Sequence, residues 1–209
     1  MLFYSRYFHF TLALMALFFP NIALAHSPIK GMGDFLNGVL HPLLVPSQVL
    51  LIVALGLWYG QHQPNQHKKS VLLFLLATIV GLLITGLFPV INTIGNNTLF
   101  LLLLMMSISI GMIIVTGVSI PPPVFILLGL LSGFLLGLDS SPDQLVMKEK
   151  IASLFGSGIG IYFLMLYAMA LSESLSTKPW QTIAVRVIAS WLSASAFMVL
   201  ALHFSLNKW

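Results

Sequence analysis

The chain has 209 residues, of which 58% are hydrophobic and only 7% charged, with a net charge of +4. Soluble domains carry about 25% charged residues, so this chain lacks the charge to coat a water-facing surface and reads as an all-α integral membrane protein. The positive balance is nine basic residues set against five acids, which does not describe a nucleic-acid surface, and the absence of Cys excludes disulfides, thiolate metal sites and cysteine catalysis.

Residues 1–25 carry the pattern of a secretory signal peptide. Arg6 precedes an apolar core at 8–19, Pro20 breaks it, and Ala23-Leu24-Ala25 is an A-x-A cleavage site. A retained signal anchor fits the same residues. Cleavage makes His26 the first residue of the mature domain, 26–209. Its free amine and imidazole then form a chelating pair, or the imidazole is incidental to an unstructured start.

Six apolar spans follow, at about 35–59, 71–90, 99–117, 124–138, 151–171 and 183–206. Each is judged against the roughly 20 residues a helix needs to cross the hydrocarbon core. The fourth is short and follows Pro121-Pro122-Pro123. The loop at 60–70 is the most polar, with His62, His67, Lys68 and Lys69. The expected fold is a bundle of six transmembrane helices with the first one kinked by proline. A cleaved signal puts the mature N-terminus in the periplasm. Lys68, Lys69, Lys178 and Arg186 then face the cytoplasm, whereas Lys30, Lys148, Lys150 and Lys208 face outward, a slight bias by the positive-inside rule.

The first span is the least ordinary. It carries Asn37, His41, Ser47 and Gln48, and it is interrupted by Pro42 and Pro46. At 100° per residue, Asp34, Asn37, His41 and Gln48 fall within about 60° of one another. Each proline lacks an N–H and disturbs a carbonyl one turn earlier, those of Gly38 and Pro42. Two readings fit: a cation or proton site built on a broken helix, and a kinked helix whose imidazole is satisfied by a neighbour.

Small residues recur every four positions at Gly129, Gly133 and Gly137 on the fourth span and at Ala152, Gly156 and Gly160 on the fifth. Such faces let helices approach closely in lipid, so the fourth and fifth spans are expected to pack as a hairpin. Met105 and Met112 share a face with Ser109, a soft-ligand pattern or adaptable packing. His62 and His67 are either metal collectors or part of a solvated loop. Asp139 is either a cation-attracting mouth or a turn former. Arg186 serves as an interfacial anchor or as a partner of Glu173. No hydrolase or transferase constellation is present, and Gly156-Ser-Gly-Ile-Gly160 lies inside an apolar span, where a phosphate loop does not form. The chain is not expected to be an enzyme. It has no Walker sequence, so any transport is passive or ion-coupled.

The segment Gly33-Asp-Phe-Leu-Asn-Gly-Val-Leu-His-Pro-Leu, continuing to Gly56-Leu57-Trp58, resembles the first transmembrane helix of the HupE/UreJ family of hydrogenase and urease accessory membrane proteins. The signal ending before His26, the His41-Pro42-Leu43 core, the span count and the length agree with that family. The resemblance implies an inner-membrane secondary transporter for nickel or cobalt that supplies metalloenzyme maturation, with His41 as the retained ligand. It implies the lipid bilayer, a divalent metal and maturation proteins as partners, and no certain cofactor. Asn37 stands where the family has its first His, Ser47 and Gln48 stand in place of Asp-His, and Ser132 to Asp139 aligns with a His-rich family segment that ends in an acid. Nickel favours imidazole nitrogen, and these amides and hydroxyls are weaker donors. A non-transporting membrane accessory or scaffold whose metal site is lost is the alternative.

Overall fold

The computed structural model of the protein describes residues 31–62, 64–88, 90–140, 146–176 and 178–206, with side chains except at 64–67, 90–96 and 206. The signal segment, His26 and the side chain of His67 lie outside these. The described residues form seven helices and no strand. They are α1 (Gly33–Leu44), α2 (Pro46–Gly60), α3 (Pro64–Leu87), α4 (Val90–Thr116), α5 (Pro122–Asp139), α6 (Met147–Ser174) and α7 (Pro179–Leu206). Five of them are long and apolar enough to cross a membrane, and the bent pair α1–α2 makes up to six. The chain is thus a multi-pass membrane protein by length and composition.

The helices outrun the apolar spans because hydropathy marks only the hydrocarbon core. Backbone hydrogen bonding continues into the interface, where polar side chains reach water. Much of the polar loop at 60–70 is therefore the first two turns of α3, which starts at Pro64. Proline suits a first turn, since its missing N–H has no helical acceptor there. The α5 helix likewise starts at Pro122, directly after Pro121 in the extended conformation.

The expected kink of the first span is a break. The α1 and α2 helices meet at 74°. Val45 between them is extended, with φ −95° and ψ 109°. Residues before proline are pushed out of the helical region, and Pro46 does this to Val45. Pro42 sits inside α1 without ending it.

Close contacts fix the helix directions. Gly156 lies against the backbone of Phe35 and Gly160 against that of Val39, while Gly56 meets Met165 and Ala168, and Gly60 meets Met169 and Ser172. The α1–α2 pair thus runs parallel to α6. The α3 and α5 helices are also parallel, since Gly129 meets Ser70, Gly133 meets Phe74 and Gly137 meets Thr78 and Gly81. The α4 and α7 helices are antiparallel, with Gly117 at Arg186, Gly111 at Ala189 and Ser193, and Phe100 against the ring of His203. These directions fit six alternating crossings, in which spans of equal parity run the same way.

The two small-residue faces therefore have different partners from the expected ones. The fourth and fifth spans do not form a tight hairpin. Gly129, Gly133 and Gly137 receive α3, and Gly156 and Gly160 receive α1. Ala152 is half-buried one turn before them. The reason is steric: a Cβ-free stripe binds whichever helix brings its own small residue opposite. Gly81 lies against Gly137, and Gly38 against the Ser153 backbone and Gly156.

The α2 helix is the axis of the bundle. Leu51, Ile52, Leu55, Trp58 and Tyr59 are all fully or almost fully buried, and every residue from Ala54 to Gly60 is buried. A helix apolar all round belongs inside a protein or a membrane. The outer surface carries Leu72, Leu83, Phe163, Trp191, Phe197 and Met198, all exposed, as lipid contact requires. Met105 and Met112 belong to this outer face, at 58% and 50% exposure, so they are not gathered into a site.

Candidate functional site

The break between α1 and α2 concentrates polar groups. Pro42 deprives the Gly38 carbonyl of its helical donor, and the Ser157 hydroxyl of α6 donates to that carbonyl at 3.2 Å. The freed carbonyl is thus satisfied by the neighbouring helix. Lower down, Ser172 donates to the Leu57 carbonyl at 2.8 Å. Both bonds pin the broken span to α6. One gives α1 its seat and the other holds α2.

Gln48, in the first turn of α2, is fully buried. Its side-chain nitrogen Nε2 donates to Asp139 Oδ2 at 2.8 Å and to the Asp139 carbonyl at 3.2 Å, and it lies 3.4 Å from His41 Nε2. Three acceptors thus surround one amide nitrogen: a carboxylate oxygen, a carbonyl oxygen and an imidazole nitrogen. An NH₂ group has only two hydrogens, so it cannot serve all three fully at once. The amide oxygen of Gln48, on the other side, is buried with no hydrogen-bond partner. Ser47 Oγ is also buried without one. His41 and Asp139 are each half-buried.

The other half of the site is the end of α5. The last four carbonyls of a helix have no helical donor, and here each finds a side chain. Ser140 Oγ donates to Leu136, Thr85 Oγ1 of α3 reaches Gly137 at 3.4 Å and Leu138 at 3.1 Å, and Gln48 takes Asp139. Span two and the broken first span therefore jointly close span four, which brings Asp139 to the break.

Of the residues singled out by sequence, His41 and Gln48 come together. Ser47 is adjacent in the chain and buried. Asn37 lies about one turn before His41 on α1 and is half-buried. His62 lies in the connection between α2 and α3 and is half-buried. Its Nδ1 bonds the Trp58 carbonyl at 2.8 Å, and its ring sits 4.7 Å from that of Phe125 and edge-on to Trp58. Tyr59 is bonded to Ser70 at 2.8 Å in the same aromatic cluster. The Arg186 guanidinium lies against Gly117 at the end of α4. The group underweighted in the sequence is Asp139. Its position at the acidic end of the aligned His-rich segment was the signal that could have placed it in the site.

Among the described residues no group of three or more His, Cys, Asp or Glu is close enough to hold a metal ion. The break brings together one imidazole and one carboxylate, with an amide completing the constellation. This arrangement can hold a cation weakly or move a proton, but it is not a saturated transition-metal cage.

No curated protein and no solved structure matches the chain significantly. The family described as HupE / UreJ protein matches residues 13–200, almost the whole chain. The residues around His41, the bundle of apolar helices and this match agree, and the chain belongs to the HupE/UreJ family.

Proposed function

We propose that this protein is a secondary transporter or permease for a divalent metal, nickel or cobalt, and that the cargo passes the break between α1 and α2. The observation that carries the reading is the set of three acceptors around Gln48 Nε2. An amide nitrogen with its two partly positive hydrogens occupies the place a small cation would take. A half-turn of the amide removes those hydrogens and turns the partnerless Gln48 oxygen toward that place. The ring of donors then consists of the Asp139 carboxylate and carbonyl, the Gln48 oxygen and His41 Nε2. Broken helices with polar groups at the break are how secondary transporters build such sites. Weak binding suits passage, since a carried ion must also leave.

On this reading the chain sits in a bacterial inner membrane with the mature N-terminus in the periplasm and a signal peptide at 1–25. Asn37 and Ser47 line the approach to the site, His26 gathers metal at the entrance, and maturation proteins for metalloenzymes receive the cargo. The test is metal accumulation in cells expressing wild type, His41→Ala and Asp139→Asn. Uptake of nickel or cobalt by wild type, lost in both variants, supports the reading. Absence of uptake of nickel, cobalt, zinc and manganese by wild type sinks it.

A second reading is favoured by the capping of α5. Four carbonyls closed by Ser140, Thr85 and Gln48 make the same cluster a lock on the bundle, in a non-transporting accessory or scaffold. That reading expects His41→Ala and Asp139→Asn to change stability and partner binding while metal content stays level.

A further inference from the structure

A second feature lies away from the break. The α3 and α6 helices leave a groove of about 640 Å³ between them on the outer apolar surface. Its walls are Leu75, Ile79 and Leu83 of α3 and Ile151, Phe155 and Ile159 of α6. Gly86 and Gly158 deepen it from either side. A Cβ on Gly158 would meet only the end of Leu82, and one on Gly86 only the end of Leu154. The Thr78 hydroxyl at the groove donates its one hydrogen to the Phe74 carbonyl at 2.9 Å, so it has no donor left for a ligand. The groove runs from Leu75 to Leu87 on α3, roughly 18 Å of helix at 1.5 Å per residue. That is about one leaflet of a hydrocarbon core some 30 Å thick.

One end differs from the rest. Lys150 lines the groove where α6 begins. Lys148, two residues earlier and about 200° around the helix, is exposed. Glu149, next in the chain, does not line the groove, and its carboxylate turns back to accept the Val146 N–H at 3.4 Å. An apolar slot one leaflet long, with an ammonium at its rim that forms no ion pair among the described residues, matches one kind of molecule. We propose that the groove holds an acyl chain of a single anionic phospholipid whose phosphate rests on Lys150. Basic pockets between transmembrane helices recognise anionic headgroups in this way. The bound chain fills the gap between spans two and five, which are the partners of spans four and one. It therefore braces the two halves that meet at the break.

The test is native mass spectrometry of the full chain in detergent, with phosphatidylglycerol and phosphatidylcholine of identical acyl chains. The expected result is one retained lipid per chain, with phosphatidylglycerol favoured roughly five-fold, the effect of about one interfacial cation. Lys150→Gln removes the preference, Lys150→Arg keeps it, and Lys148→Gln leaves it in place. Gly158→Phe fills the slot and loses both lipids with the charge untouched. Melting temperatures of the purified variants show whether each is folded, and the surface variants Lys150→Gln and Lys148→Gln carry the test if Gly158→Phe does not fold. Equal retention of the two lipids by wild type overturns the proposal. So does a preference that survives Lys150→Gln, or an equal loss in Lys148→Gln. A lipid-free dimer that Gly158→Phe converts to monomer overturns it too, by assigning the groove to a second copy.

Discussion

Gln48 and Asp139 are 91 residues apart in the chain and 2.8 Å apart in the fold, joined by an amide-to-carboxylate hydrogen bond beside His41. The bond links the broken first span to the end of the fourth, and it puts a buried amide where a carboxylate and a helix-terminal carbonyl both need a donor. Replacing Gln48 by Leu leaves both without it. Removing one partner of a buried polar pair costs about 1–3 kcal/mol. Gln48→Leu is expected to lower the melting temperature in detergent, and Asp139→Asn to add less in that background than alone. Full additivity in the double-mutant cycle would show that the two groups do not interact.

Gln48→His places a second imidazole beside His41 and the Asp139 carboxylate. Two imidazoles and a carboxylate suit nickel, cobalt and zinc far better than one imidazole with amides. At a metal concentration about a hundredfold above Kd the folded state gains ~2.7 kcal/mol. The variant is expected to be stabilised by nickel or cobalt in a thermal-shift measurement, much more than wild type. A flat response in the variant would mean that His41 and residue 48 cannot turn toward one point.

Ser157 donates to the Gly38 carbonyl because Pro42 cannot. Ser157→Ala is expected to cost about 0.6 kcal/mol, the average for an interhelical bond in a membrane protein. In a Pro42→Ala background the backbone N–H of residue 42 can serve Gly38, and the same Ser157→Ala change should cost nearly nothing. Stability against a mild unfolding detergent measures both. An undiminished cost in the Pro42→Ala background argues that Ser157 acts by packing alone.

The glycines of α6 and α1 make a prediction of the opposite character. A Cβ on Gly38 would drive into the Ser153 backbone, and one on Gly156 into that of Phe35. Neither neighbour can yield without moving a helix. Gly38→Ala and Gly156→Ala are each expected to destabilise by about 1–3 kcal/mol, as overpacking does. Gly33, with φ +73° and nothing within 4 Å of a built Cβ, should cost about 1–2 kcal/mol as Ala, through left-handed strain alone. Cross-linking yield between α1 and α6 separates the cases, since it should fall for Gly38 and Gly156 and hold for Gly33.

Much of the bundle was legible because membrane burial is written in composition. The apolar runs located every helix, and the resemblance around His41-Pro42 led to the right family. Legibility ended where chain neighbours gave no information about space. The glycine stripes announced close contacts without naming the partners, and the nearest helices in sequence were the wrong choice. Asp139 looked like a turn former because its use depends on Gln48, 91 residues away in the chain, arriving from the broken first span.

The sequence alone determined that this chain lives in a membrane, where its helices lie, that proline interrupts the first span, and that this span carries the polar residues His41 and Gln48. These follow from local chemistry: hydrophobic length, the missing N–H of proline and helical periodicity. Only the tertiary structure decided that the span is bent by 74°, that α1 rests on the glycines of α6, and that Asp139 meets Gln48 beside His41. Those depend on which backbones can approach without a Cβ between them and on which buried carbonyls still need a donor, and both are properties of the packed bundle.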